Sequence, residues 1–262
     1  MILTREYRLT LGASPAAGPN AWAGRPAGDR LGPFIVLRVT VEGDVDATTG
    51  YVCSIGQLDE LLCDRAIPVL QDRCGAAGCD SMRPAGVLAA MAGAMASNYP
   101  LGTQPLELEL QWSPYLRFTL VHGAAPMVQM TEQFEFSASH RLYCPDLSSE
   151  ENQRIFGKCA NPNGHGHNYV LDVTVGGDVC EKTGSLVELG PFERTVIERV
   201  IEPFDHRNLN QDCPEFADLN PTVENIARVI WTRLKGRLGP AQLVSVRLWE
   251  TPKTCAEYRG GS

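Results

Sequence analysis

Val175 to Gly184 reads VGGDVCEKTG, and Val41 to Gly50 reads VEGDVDATTG. Laid over each other, the two stretches put Gly43 on Gly177, 134 residues further along the chain. The same shift carries Ile67-Pro68-Val69-Leu70 onto Ile201-Glu202-Pro203-Phe204. With a small length adjustment, Pro84 falls on Pro221 and Trp112 on Trp249. An offset sustained over such a distance points to an internal duplication. The chain is therefore expected to hold two copies of one module, residues 1–128 and 129–262, joined near Gly123 to Met127.

Working outward, each copy offers the same order of elements. In the second, Gln133 to His140 (QFEFSASH) alternates apolar and polar residues as a half-buried strand does, and Asn168 to Val175 (NYVLDVTV) repeats the pattern. Phe192, Val196, Ile197, Val200 and Ile201 recur at helical spacing, which predicts an amphipathic helix over Pro191 to Glu202. A second helix is expected from Asn220, with Asn as N-cap, Pro221 at the first helical position, and Ile226, Val229, Ile230 and Leu234 as its buried stripe. Leu243 to Glu250 and Thr254 to Arg259 read as closing strands. The first copy gives strands at Leu3 to Leu11 and Phe34 to Glu42, helices near Leu58 to Leu70 and Ala85 to Ser97, and strands near Leu106 to Trp112 and Leu116 to His122. Extended segments without alternating βαβ units indicate an α+β module, a four-stranded antiparallel sheet carrying two helices on one face.

Composition narrows the class. With 262 residues and 44% hydrophobic content, the chain can bury one large core or two ordinary ones. The start, MILTREYRLTLGAS, has no basic head followed by an apolar stretch, and the run Ala85 to Ala96 is too short to span a bilayer, so a cytoplasmic protein without a membrane partner is expected. Nine cysteines without a paired spacing pattern fit reduced thiols. Cys74 and Cys79 form a lone C-x4-C, too sparse for a metal site. A net charge of −8 argues against nucleic acid as a partner. All four lysines and four of the five histidines lie in the second half, so the chemistry is expected there.

His140 ends the first strand of the second copy, and His165 and His167 flank Gly166 at the entrance to the next. Spacing of two points the latter pair onto one face. Three imidazoles without a fourth protein ligand would leave an open position on a zinc ion, the arrangement of a catalytic site.

FSASHRL (Phe136 to Leu142), SSEEN (Ser148 to Asn152) and FGKCANPNGHGHNY (Phe156 to Tyr169) together resemble the 6-pyruvoyltetrahydropterin synthase family, which includes the 6-carboxytetrahydropterin synthases. DHRNLN (Asp205 to Asn210), PTVEN (Pro221 to Asn225) and WET (Trp249 to Thr251) follow in the family's order, so the resemblance covers Thr131 to Gly260. It implies a tandem T-fold (tunnelling fold) and a zinc-dependent lyase that converts 7,8-dihydroneopterin triphosphate to 6-pyruvoyltetrahydropterin with release of triphosphate. It assigns zinc to His140, His165 and His167, the general base to Cys159, and assistance in proton transfer to Asp205 and His206. It makes Glu250 the pterin anchor and Thr222 and Glu224 pocket-lining positions. Modules of this family close into barrels, which implies a homo-oligomer, here a homotrimer. A related reading is the 6-carboxytetrahydropterin synthase of the deazapurine (queuosine) route, which also releases acetaldehyde. From another class comes a zinc-holding pseudoenzyme. The longer Cys159 to His165 spacing favours the pyruvoyl product, while Glu188-Leu189 departs from the pair many members carry.

The first copy has none of this equipment. Ala13, Leu31 and Pro33 stand where the three histidines would fall, Gln71 and Asp72 replace Asp205 and His206, and Ser113 replaces Glu250. Residues 1–128 are expected to be a non-catalytic scaffold.

Overall fold

The computed structural model of the chain describes residues 1–11, 20–25, 32–75 and 83–261. Ala13, Leu31, Cys79 and the side chain of Cys74 lie outside the described residues. The chain divides into two compact units, Met1–Met130 with Gly176–Leu186, and Thr131–Val175 with Val187 onward.

In the first unit, β1 (Ile2–Thr10), β2 (Phe34–Gly43), β3 (Thr103–Gln111) and β4 (Leu116–Val121) are neighbours in that order, each pair antiparallel. The helical segment between β2 and β3 is interrupted. α1 (Ile55–Leu61) passes through a π-helical turn, Leu62–Ala66, into α2 (Ile67–Gly75), and α3 (Pro84–Met95) follows. Pro84 occupies the start of α3, where its missing N–H costs nothing. Leu58, Leu62, Leu88, Met91 and Met95 are buried, and α3 packs on β3 and β4. Within this unit the Gly86 N–H donates to the Gly184 carbonyl at 3.0 Å.

In the second unit, which takes β5 (Met127–His140) from Thr131 and β6 (His165–Gly177) as far as Val175, α4 (Ser149–Phe156) lies between these strands, and α5 (Leu189–Val196), a π-helical turn Ile197–Ile201, and α6 (Glu202–Phe204) follow. Then come β7 (Arg207–Asn208), α7 (Leu209–Asp212), α8 (Val223–Leu234), β8 (Gln242–Thr251) and β9 (Thr254–Tyr258). The sheet runs β5-β6-β8-β9, with the short β7 parallel to β5. Side-chain pairs Thr131 with Thr174, Gln133 with Asp172, and Ser137 with Asn168 show β5 and β6 running in opposite directions. These pairs also explain a departure from the expected half-buried strand. Asp172 and Thr174 lie on the polar face of β6 and are nonetheless buried, covered by their partners across the ladder.

Two expected boundaries move. α8 begins at Val223, with the Thr222 hydroxyl accepting from the Asn225 N–H at 3.3 Å, so Thr222 and not Asn220 is the N-cap. Asn220 instead accepts from the Tyr143 N–H and leaves Pro221 outside the helix. α4 was not anticipated by hydrophobic periodicity. It starts on a reciprocal capping box between Ser148 and Glu151 and is tethered by buried Asn152, which donates to the Cys144, Leu147 and Ser148 carbonyls. Among the described residues no helix is long and apolar enough to cross a membrane, and the cysteines with described side chains are free thiols.

Candidate functional site

The alternation of β5 delivers His140 at its last position, fully buried. β6 opens on His165, and His165, His167 and Tyr169 fall on one face of it. The approach of the two strands depends on glycine. Gly164 has φ +70°, and a Cβ there would stand 2.9 Å from the His140 carbonyl oxygen. The ring centroids of His140 and His165 are 4.5 Å apart, those of His165 and His167 4.8 Å, and those of His140 and His167 5.3 Å. One nitrogen from each ring lies within 4.8 Å of the others.

The protonation of this cluster follows from its neighbours. His140 Nδ1 donates to the Pro221 carbonyl at 2.7 Å, which leaves the lone pair on Nε2, 3.1 Å from His165 Nε2. Burial pulls the His140 pKa down to about 4, against the opposing effect of the Pro221 bond, so the ring is neutral near pH 7. Burial and then His167 lower the value for His165 as well. His167 Nε2 is buried with no hydrogen-bond partner. Converging imidazole nitrogens, one ring held by a backbone carbonyl behind it, fit a divalent cation.

Glu250 joins the cluster. The β8–β9 register shifts between Trp249 and Thr251, and bulges of this kind re-aim a side chain. Its Oε1 lies 3.4 Å from His140 Nε2 and 3.5 Å from His167 Nε2, with the side chain 17% exposed. Cys159 sits half-buried in the 3-10 turn Gly157–Ala160, whose Cys159 carbonyl accepts from the Leu142 N–H at 2.9 Å. Burial, and then the Glu250 carboxylate, push the Cys159 thiol up.

Asp205 and His206 meet because His206 takes a left-handed backbone, φ 57°, which supplies the turn that adjacent side chains need in order to face each other. Asp205 accepts from the Ser137 N–H at 2.8 Å and stands 2.8 Å from His206 Nδ1. The Ser137 bond first, and the His206 contact second, hold its carboxyl below the usual range. The His206 ring is 82% exposed, and no hydrogen bond or ion pair joins it to the imidazole cluster among the described residues. Thr222 is occupied as the N-cap of α8, and Glu224 is exposed in the first turn.

Two groups escaped sequence reasoning. Tyr169 is fully buried with a hydroxyl that lacks a partner, its ionisation driven up by burial, then by Glu250 and Cys159. The signal was present, since Tyr169 continues the every-second-residue series of His165 and His167. The Pro221 carbonyl carried no signal, because any residue has one.

The profile of the family described as 6-pyruvoyl tetrahydropterin synthase matches residues 129–261. The 6-pyruvoyl tetrahydrobiopterin synthase of Pongo abelii is 44% identical over 138 residues, covering 53% of this chain and 95% of that protein. The 6-carboxy-5,6,7,8-tetrahydropterin synthase of Aquifex aeolicus is 29% identical over 160 residues, 50% of this chain and 97% of that protein. A solved structure of the Caenorhabditis elegans 6-pyruvoyl tetrahydropterin synthase superposes with a TM-score of 0.50 at 38% identity, over 53% of this chain and all of that one. Through its second half, where the histidine cluster lies, the chain belongs to the 6-pyruvoyl tetrahydropterin synthase family and is a lyase of the type that serves pterin biosynthesis.

Proposed function

We propose that the chain is a zinc-dependent lyase converting 7,8-dihydroneopterin triphosphate to 6-pyruvoyltetrahydropterin with elimination of triphosphate. The observation that carries this reading is the convergence of the His140, His165 and His167 nitrogens beside Glu250 and Cys159. Identity of 44% to a pyruvoyl-forming synthase, against 29% to a carboxy-forming one, supports the pyruvoyl product. His140, His165 and His167 would hold zinc, which would supply Lewis acidity to side-chain hydroxyls of the substrate. Cys159 takes a proton as general base, and Glu250 accepts two N–H bonds from the amino-pyrimidine edge of the pterin. Asp205 fixes the His206 tautomer, so the exposed Nε2 of that ring exchanges protons during rearrangement. Thr222 and Glu224 line the pocket beside the start of α8.

Residues 1–128 serve as a non-catalytic copy of the module in residues 129–262. Matching turns support the duplication. The Gly50 N–H donates to the Asp46 carbonyl and the Gly184 N–H to the Cys180 carbonyl, at 2.8 and 2.7 Å, with both glycines left-handed. The π-helical turns Leu62–Ala66 and Ile197–Ile201 recur at corresponding places. Gln71 and Asp72 lie inside α2, where the other copy breaks its helix for Asp205 and His206, and Ser113 accepts from the Leu116 N–H in the β3–β4 turn.

The test is incubation of purified, zinc-loaded protein with 7,8-dihydroneopterin triphosphate, with products identified by mass spectrometry. Triphosphate with a pyruvoyl product is expected. Acetaldehyde in the mixture would transfer the chain to the carboxy-forming reaction, and no triphosphate at all would leave a metal-holding pseudoenzyme.

A further inference from the structure

A cavity of about 740 Å³ in the second unit takes its walls from three stretches of chain, within residues 141–146, 162–164 and 208–220. It begins one residue away from two of the imidazoles, since Arg141 follows His140 and Gly164 precedes His165. Side-chain amides tie the walls together. Asn210 accepts from the Arg141 N–H at 2.7 Å and donates to the Arg141 carbonyl at 3.0 Å, and Asn220 accepts from the Tyr143 N–H at 3.2 Å. The frame therefore stands on bonds to backbone groups and does not need the Arg141 side chain.

Arg141 is the one cation among the described residues of the lining, and its guanidinium is fixed in place. The residue is half-buried, its Nε donates to the Ala160 carbonyl at 3.1 Å, and its Cζ lies 4.3 Å from the centre of the Tyr143 ring. Among the described residues no hydrogen bond or ion pair takes up either terminal nitrogen. A guanidinium held by its Nε and one face, with its outer edge unspent, is set for paired bonds to an oxyanion and loses little freedom in making them. Lys158 and Arg207, beside Cys159 and His206, are exposed and have no such constraint. The lining also carries two exposed carboxylates, Asp146 and Asp218. They oppose a bare anion but suit one that arrives with a divalent cation, because magnesium is held by one or two carboxylates together with phosphate oxygens. A polyphosphate meets both conditions.

We propose that this cavity receives the triphosphate tail of the substrate with its magnesium counter-ion, and that Arg141 is the specificity residue for that tail. The proposal rests on the lyase reading, which supplies a triphosphate and leaves it without a partner in the protein. The imidazole cluster then meets the hydroxyls of the substrate and the cavity meets its tail, so dihydroneopterin without phosphates binds weakly.

Isothermal titration calorimetry on the full chain measures the affinity for inorganic triphosphate, with and without magnesium, in wild type, Arg141→Gln, Arg141→Lys and Asp218→Asn. Zinc affinity, and KM and kcat for 7,8-dihydroneopterin triphosphate, are measured on the same proteins. Wild type is expected to bind inorganic triphosphate more tightly with magnesium present. Arg141→Gln should weaken that binding and raise KM by about tenfold or more, the loss of a charge-assisted bond, with zinc affinity unchanged. Arg141→Lys, a charge without the planar fork, should fall between the two. Asp218→Asn should remove most of the gain from magnesium. Equal affinities for inorganic triphosphate in wild type and Arg141→Gln would overturn the proposal and leave the lyase reading standing. So would a fall in zinc affinity in step with the loss of triphosphate, which would mark Arg141 as a prop for the turn that carries Cys159. Wild type that binds inorganic triphosphate yet releases none from the pterin would overturn the lyase reading, and with it the substrate named for the cavity.

Discussion

Glu132 carries a cost that pH exposes. Its Oε2 is buried without a partner, and burial first, then the neighbouring Glu193 carboxyl, push its pKa up from 4.5 to about 8. Between those values the folded chain holds a proton that the unfolded chain releases, so the folded state loses stability as pH rises through that window. Chemical denaturation at pH 6 and pH 8 should find wild type weaker at pH 8 by about 1–2 kcal/mol. Glu132→Gln should flatten that difference, and an equal drop in the variant would refute the assignment. At this scale the sequence disclosed side chains whose chemistry is in their identity, such as His140 and Cys159. It was silent where the chemistry belongs to the backbone or to surroundings assembled from distant segments, as with the Pro221 carbonyl that orients His140 and the carboxylate beside Cys159.

Among the elements, the β5–β6 pair makes the sharpest demand on a single position. Gly164 combines φ +70° with a close approach to the His140 carbonyl, whereas Gly236, at φ +74°, has nothing within 4 Å of the place a Cβ would take. Alanine at Gly236 should cost about 1 kcal/mol, the strain of a left-handed backbone alone. Alanine at Gly164 should cost about 2 kcal/mol or more and weaken metal binding, because the clash displaces the residue before His165. Thermal denaturation with and without zinc separates the two, and equal losses would remove the special place given to Gly164. Strands and helices were readable from periodicity because buried faces leave a repeating trace. Their ends were less so: Asn220 and Pro221 look like a helix start, yet the competing bond from the Tyr143 N–H to Asn220 moves the cap to Thr222. The π-helical turns carry no trace in hydrophobic spacing, since each adds one residue to a helix whose apolar stripe simply rotates.

For the molecule as a whole, β9 pairs on one side only among the described residues, while the outer side of β1 is bridged at Leu9 by Arg25, and an open edge invites further strands. A homotrimer is the expected assembly, read by native mass spectrometry as three times the 28.6 kDa chain, and a stable monomer at micromolar concentration would count against it. The bond from His140 to the Pro221 carbonyl spans 81 residues of chain and ends one residue before the Thr222 cap. α8 is itself packed on β8 and β9, and its Ile226, Ile230 and Leu234 are buried. The pitch of the His140 ring is thus set by how a remote helix is bedded, like a lens held by a mount at the far end of its tube. With a metal ion in the proposed site, drift in that bedding would retune the acidity of whatever the ion held while every ligand stayed the same, which gives evolution a fine adjustment that leaves the reacting atoms alone.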